Sequence, residues 1–379
     1  MMTTSAAERF RVAQRVVIKI GSALLVDAER AALRENWLAG VCADIARLRA
    51  EGKEVVVVSS GAIALARVQL GLAARKLRLA EKQAAASVGQ IGLAQAWSTA
   101  LAQEGMTAAQ LLLTPDDTES RARHLNARGT LFALLKMGCV PVINENDAIA
   151  TAEIRFGDND RLAARVAQMI GADLLVLLSD IDGLYTADPR IDPSARHLPF
   201  IERLTDDVLA MGGAPPPGYS SGGMYTKLLA ARIANGAGAS MVIAAGLSER
   251  PLSRLIDGGR CTWFQAMTDA GSARKRWIGG SLNVGGRLVV DGGAAAALMQ
   301  GGSLLPAGIL SVEGDFTQGD LVSIVDQDGL EIARGLIQYD SQEAGLLVGR
   351  RSEDIETVLG YRGRHSLVHR DDLVLTFRQ

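Results

Sequence analysis

The chain has 379 residues, 48% of them hydrophobic and 22% charged, with a formal net charge of −2. This length predicts two domains or more, and the composition excludes a disordered chain. The near-neutral balance gives no whole-chain argument for a polyanionic partner. No apolar run approaches the ~20 residues of a membrane span. Residues 1–14 lack the apolar stretch of a secretory signal. We therefore expect a loosely ordered lead-in to a cytoplasmic protein.

In chain order, residues 16–20 read as a strand and 34–50 as an amphipathic helix. Residues 55–58 form a fully apolar second strand, followed by a Ser-Ser-Gly turn, and residues 80–103 a long alanine-rich helix. Residues 111–113, 140–143, 174–178 and 241–245 read as further buried strands. Continuous apolar strands separated by helices predict an α/β fold, a mainly parallel sheet sandwiched by helices. Residues 202–223 are a Gly/Pro-rich interruption within that domain, which spans 15–264. A linker at 265–282, with Arg274-Lys275-Arg276-Trp277 as connector, leads to a small, mostly β domain at 283–379. Its strands are expected at 287–290, 321–325, 331–337, 345–348 and 373–377.

The polar motifs fall at strand ends, where ligands of such sheets bind. Lys19 and Gly21 close the first strand; alone they read as a surface lysine and a turn. Ser59-Ser60-Gly61 opens a helix and presents free N–H groups to an anion, though capped turns of this kind are common. Two acidic and amide clusters, Asn144-Glu145-Asn146-Asp147 and Gly157-Asp158-Asn159-Asp160, flank a short connector. Helix capping accounts for one or two of their Asp and Asn residues but not all six. Ser179-Asp180 follows another strand, and Ser220-Ser221-Gly222-Gly223-Met224-Tyr225-Thr226-Lys227 leads into a helix with a lysine able to reach a phosphate. No Walker A, protein-kinase or GxSxG motif is present. His365 and His369 are separated by a strand-like Ser-Leu-Val, which disfavours a zinc pair. Cys42, Cys139 and Cys261 form no CxxC and read as small core residues in a reducing compartment. Two lysines, several carboxylates and glycine-rich anion turns suit phosphoryl transfer.

Together, Val-Ile-Lys-Ile-Gly-Ser (17–22), Ser-Ser-Gly-Ala-Ile-Ala (59–64), Val-Ile-Asn-Glu-Asn-Asp (142–147), Gly-Asp-Asn-Asp (157–160), Gly-Leu-Tyr-Thr-Ala-Asp-Pro-Arg (183–190) and Gly-Gly-Met-x-Thr-Lys (222–227) resemble the bacterial glutamate 5-kinases. These belong to the amino acid kinase superfamily. The C-terminal part resembles their appended PUA domain. The resemblance implies ATP-dependent phosphorylation of the L-glutamate side chain, the first step of proline synthesis. It implies catalytic roles for Lys19, Lys227 and Asp158, and glutamate binding by Ser60, Asp147, Asn159 and Asp160. Asp158 and Asp160 would organise the lysines or a metal. The nucleotide site would comprise Lys19, Ser179, Asp180, Ser221, Gly222, Gly223, Met224, Tyr225, Thr226 and Lys227. Mg²⁺ dependence, feedback inhibition by proline and homo-oligomerisation are implied too, with no metal ligand assigned. Asp182 departs from the resemblance by standing at a usually basic position.

An acetylglutamate or carbamate kinase remains the alternative within the fold, and an RNA-binding role the alternative outside it. Residues 280–379 hold 8 arginines, no lysine and 14 acidic residues, a net of −6. That domain lacks the basic footprint of nucleic-acid binding. Lys19, with solvent or Asp158 as its expected partner, should be removable with little cost to folding.

Overall fold

The computed structural model describes residues 6–27, 32–72, 77–149, 159–213, 223–269, 271–272 and 284–376. Asp158, Ser221, Gly222 and the 274–277 connector lie outside the described residues. The chain divides into two compact units, 1–119 with 127–270, and 120–126 with 271–379.

The strands of the first unit are β1 (Arg15–Ile20), β2 (Val26–Asp27), β3 (Ala32–Leu33), β4 (Glu54–Ser59), β5 (Ala108–Leu113), β6 (Val140–Glu145), β7 (Leu174–Ser179), β8 (Leu184–Tyr185), β9 (His197–Leu198), β10 (Phe200–Ile201), β11 (Ser240–Ala245) and β12 (Cys261–Phe264). Eight of them form one sheet in the order β10-β12-β11-β7-β1-β4-β6-β5. All its pairings are parallel except β11 with β12. The chain leaves β1 toward β4 on one side and β7 toward β11 on the other. The carboxyl ends of β1 and β7 therefore flank a topological switch point, where a crevice opens for ligand.

The apolar runs alternate between two cores. Ile18, Val57 and Val176 pack with helices Glu35–Ala50 and Leu79–Gln103, while Val17, Val58 and Leu177 pack with helices Asn159–Ile170 and Met224–Gly236. Each fully buried Val or Leu contributes about 1.5–3 kcal/mol. Period-2 alternation puts Lys19 on the face of Val17, toward the second helix pair.

From residue 6 the lead-in is more ordered than its composition suggests. Ala6–Val12 is a helix with Phe10 buried, and the Arg9 guanidinium lies 4.3 Å from the centroid of the Phe200 ring. The buried Lys53 donates to the carbonyls of Arg11 and Ala13, fixing the segment to the core. The interruption at 202–223 holds a short helix, Asp206–Ala210, capped by Thr205.

The second unit carries β13 (Gly286–Val290), β14 (Ile309–Gly314), β15 (Leu321–Val325), β16 (Glu331–Ile337) and β17 (Val368–Leu375), in the order β14-β13-β15-β16-β17. The strand expected at 345–348 is not one. Ser341–Leu346 is a helix, because the Asp340 carboxylate accepts from the Glu343 N–H and outweighs the apolar Leu-Leu-Val run. β14 escaped the sequence reading, since its alternation is blurred by glycine and acidic residues.

Candidate active site

Four chain segments meet at the switch point. Lys19 ends β1, Ser60 follows β4, Asn159 and Asp160 open the helix Asn159–Ile170, and Lys227 lies in the first turns of the helix Met224–Gly236. Gly61, at φ 121°, holds the turn after Ser60 in a left-handed conformation that other residues rarely adopt.

Asp160 is fully buried and grips both lysines. Lys19 Nζ lies 2.6 Å from its Oδ1 and Lys227 Nζ 3.1 Å from its Oδ2. Both lysines are themselves buried. Burial alone would raise the Asp160 carboxyl, but the Lys19 and Lys227 ammonium groups outweigh it and hold it well below the usual carboxylate range. Thr226 Oγ1 adds a long contact to Asp160 at 3.4 Å and accepts from the Gly223 N–H at 3.0 Å, shaping the helix start. Among the described residues, one carboxylate between two ammonium groups leaves a net positive charge beside a helix N-terminus, which suits a polyphosphate.

The lysine partner is a correction to the sequence reading. Lys19 was expected to have solvent or Asp158 as its partner; it is instead buried and ion-paired with Asp160, which overturns the solvent-facing part, while Asp158 lies outside the described residues. Asp160 contacts both ammonium groups, in line with the expectation that it organises the lysines.

Asn159, one residue earlier, turns the other way. Its Nδ2 donates to Ser60 Oγ at 2.5 Å and to Asn144 Oδ1 at 3.0 Å. Two of the expected glutamate ligands, Ser60 and Asn159, are thus in contact. Asn144 continues the network by donating to Gln90 Oε1 at 2.8 Å. The expectation placed Asn144 within a motif but gave it no role, and missed Gln90 altogether. No periodic signal marks Gln90, because only the packing of the helix Leu79–Gln103 against the helix Ala62–Gln69 brings it there. Gly89 makes that approach possible, since a Cβ there would lie 1.7 Å from the Ala62 carbonyl oxygen.

Asp147 is half-buried and lines a cavity of about 260 Å³ with Gln90, Glu145 and Asn146. On the other flank, Ser179 Oγ donates to Asp180 Oδ1 at 2.9 Å at the end of β7. Gly223, Met224, Tyr225 and Thr226 are half-buried around the start of the Lys227 helix. Asp182 receives the Tyr185 hydroxyl at 2.8 Å and lies 3.5 Å from Arg260, so a distant residue brings the positive charge that its own position lacks.

A mainly parallel sheet with two lysines, a bridging aspartate and anion-binding turns at its switch point defines a phosphoryl-transfer enzyme of the amino acid kinase class. The model of the Amino acid kinase family matches residues 14–245, and that of the PUA domain residues 286–359. The Glutamate 5-kinase of Gluconobacter oxydans (strain 621H) is 69% identical over 375 residues, covering 99% of this chain and 99% of that protein. The Glutamate 5-kinase of Paramagnetospirillum magneticum is 57% identical over 96% of this chain and 98% of its own length. That of Rhizobium rhizogenes is 54% identical, with coverage of 99% and 96%. The chain belongs to the glutamate 5-kinase branch of the amino acid kinase family.

Proposed function

We propose that the chain transfers the terminal phosphoryl group of ATP to the side-chain carboxylate of L-glutamate, giving γ-glutamyl phosphate, the first step of proline biosynthesis. The observation that carries this reading is the adjacency of Asn159 and Asp160. One residue joins the Ser60 hydroxyl, the next joins both lysines, so the acceptor and phosphate sites share a single helix start.

In this reading Ser60, Asn159 and Asp147 hold glutamate, with Asp147 on its α-ammonium. Lys19 and Lys227 neutralise the phosphates and the charge that develops on the transferring group. Asp160 is their organiser: it keeps two like charges close without mutual repulsion and sets their spacing. The acceptor carboxylate is already ionised at neutral pH, so no general base is needed. Ser179, Asp180 and the 223–227 segment border the nucleotide, with Ser221 and Gly222 assigned there from the sequence resemblance. Asp158 keeps its sequence-based assignment as a further organiser.

Among the described residues no three His, Cys, Asp or Glu side chains gather into a cage for an ion. Mg²⁺ retains several waters and binds through substrate phosphates and one or two carboxylates, so the Asp180 carboxylate at the end of β7 is a donor of the kind it takes. Asp180 is the described carboxylate that would approach it. When bound, Mg²⁺ neutralises phosphate charge and orients the terminal phosphoryl group.

The family supports proline as feedback inhibitor, a homo-oligomer, and a cytoplasmic location. No described helix is long and apolar enough to cross a membrane. We assign the chemistry to residues 15–264 and give 283–379 an assembly or regulatory role, its net charge of −6 arguing against RNA. Incubation with MgATP, L-glutamate and hydroxylamine tests the reaction: glutamate-dependent γ-glutamyl hydroxamate supports it, and turnover only with carbamate or acetylglutamate refutes the specificity.

A further inference from the structure

The amide network behind Ser60 has only one consistent orientation. The Glu145 backbone N–H donates to Asn144 Oδ1 at 2.9 Å, and a backbone N–H can only donate. Asn144 Oδ1 is therefore an acceptor, and its Nδ2 must give its proton to Gln90 Oε1 at 2.8 Å. Asn159 meets the same Asn144 oxygen, so it must do so with its Nδ2, which also reaches Ser60 Oγ. The amide of Asn159 is then left with its oxygen turned away from both partners. That Oδ1 is buried and has no donor among the described residues.

We infer that Gln90 is a positioning residue for substrate selection. The Glu145 N–H orients the Asn144 amide and Gln90 braces it from the other side, so that Asn144 holds Asn159 with its carbonyl oxygen presented as an acceptor, and the group that satisfies it is the α-ammonium of the amino acid substrate. A buried acceptor without a donor is costly, and a charged N–H donor relieves that cost most fully. The relay therefore makes the site discriminate an α-amino diacid from the same diacid without its amino group. Asp147 supplies charge to that ammonium; the Gln90 relay supplies direction. This inference rests on the proposed binding of glutamate at Ser60 and Asn159.

The test compares L-glutamate with glutarate, its analogue lacking the α-ammonium, as ligands of the full-length protein with MgATP present. Wild type, Gln90→Met and Gln90→Glu are measured for KM of glutamate, KM of ATP, kcat and competitive inhibition by glutarate. Methionine keeps the length of the side chain and loses the strong acceptor, whereas glutamate keeps the acceptor. Gln90→Met should weaken the preference for glutamate over glutarate about tenfold, with ATP KM and glutarate inhibition unchanged. Gln90→Glu should retain most of the preference. An unchanged preference in Gln90→Met overturns the relay. Equal loss of glutamate and glutarate binding overturns it too, because it marks a merely structural side chain. Absence of any preference in wild type would instead remove the underlying assignment of the glutamate site.

Discussion

Lys19 and Lys227 approach the same carboxylate from opposite oxygens, at 2.6 Å and 3.1 Å from Asp160, and all three groups are buried. Breaking a buried ion pair by removing one partner leaves an uncompensated charge and typically costs about 3–5 kcal/mol. Asp160→Ala leaves two. It should lower the thermal midpoint by several degrees and reduce kcat at least ~100-fold, read by calorimetry and by the hydroxamate assay. A variant that melts like wild type would show that the lysines are relaxed into solvent.

Lys19→Ala should reduce turnover as severely but destabilise less, because Lys227 still neutralises Asp160. A loss of about 1–3 kcal/mol in urea unfolding is expected. Loss of activity with full stability would return Lys19 to the solvent-facing role that its position at a strand end first suggests.

The pH dependence follows from the depressed Asp160 carboxyl. A group whose folded value lies below its unfolded value contributes stability that is fully present above the ordinary carboxylate range. It is lost as the pH falls below that range toward the folded value. Relative to Asp160→Asn, wild type should keep its added stability down to about pH 4 and lose it progressively below. A stability difference between the two proteins that does not change between pH 6 and pH 3 contradicts this.

Asp147→Ala should raise the glutamate KM at least ~10-fold and leave ATP KM within about twofold. Asp147 lies on the cavity wall with Glu145, and the residues of the lysine clamp are not part of that wall. A selective loss of ATP affinity would reverse the assignment of the two substrates.

The thiols offer a check on the core. Cys42 is buried and its thiol is pushed up to about 12, first by burial and then by Glu104; Cys261 is raised in the same direction by burial. At pH 8 neither supplies thiolate, so iodoacetamide should label Cys139 first in the native protein and reach the other two only after unfolding. Peptide mass spectrometry before and after denaturant reads this directly.

The mainly parallel sheet was legible because each buried strand is a short continuous apolar run, and that pattern needs no knowledge of neighbours. The small β domain was read less completely. At residues 345–348 an apolar run met a helix cap whose force lies in Asp340 and Glu343 rather than in hydrophobicity. Glycines and acidic residues hid Ile309–Gly314, and Phe10 tied down a segment whose composition alone reads as loose.

The site divides along the same line. The chain by itself determined the chemistry: which lysines, hydroxyls, amides and carboxylates stand at strand ends and helix starts, since those positions follow from local pattern. It did not determine who meets whom. Whether Lys19 faces solvent, Asp158 or Asp160 depends on which helix covers its face of the sheet. Gln90 enters the site only because a glycine lets one helix lie against another. Pairings between residues 54, 67 or 141 positions apart are decided by packing, which closes those loops and removes the water that would otherwise satisfy each group alone.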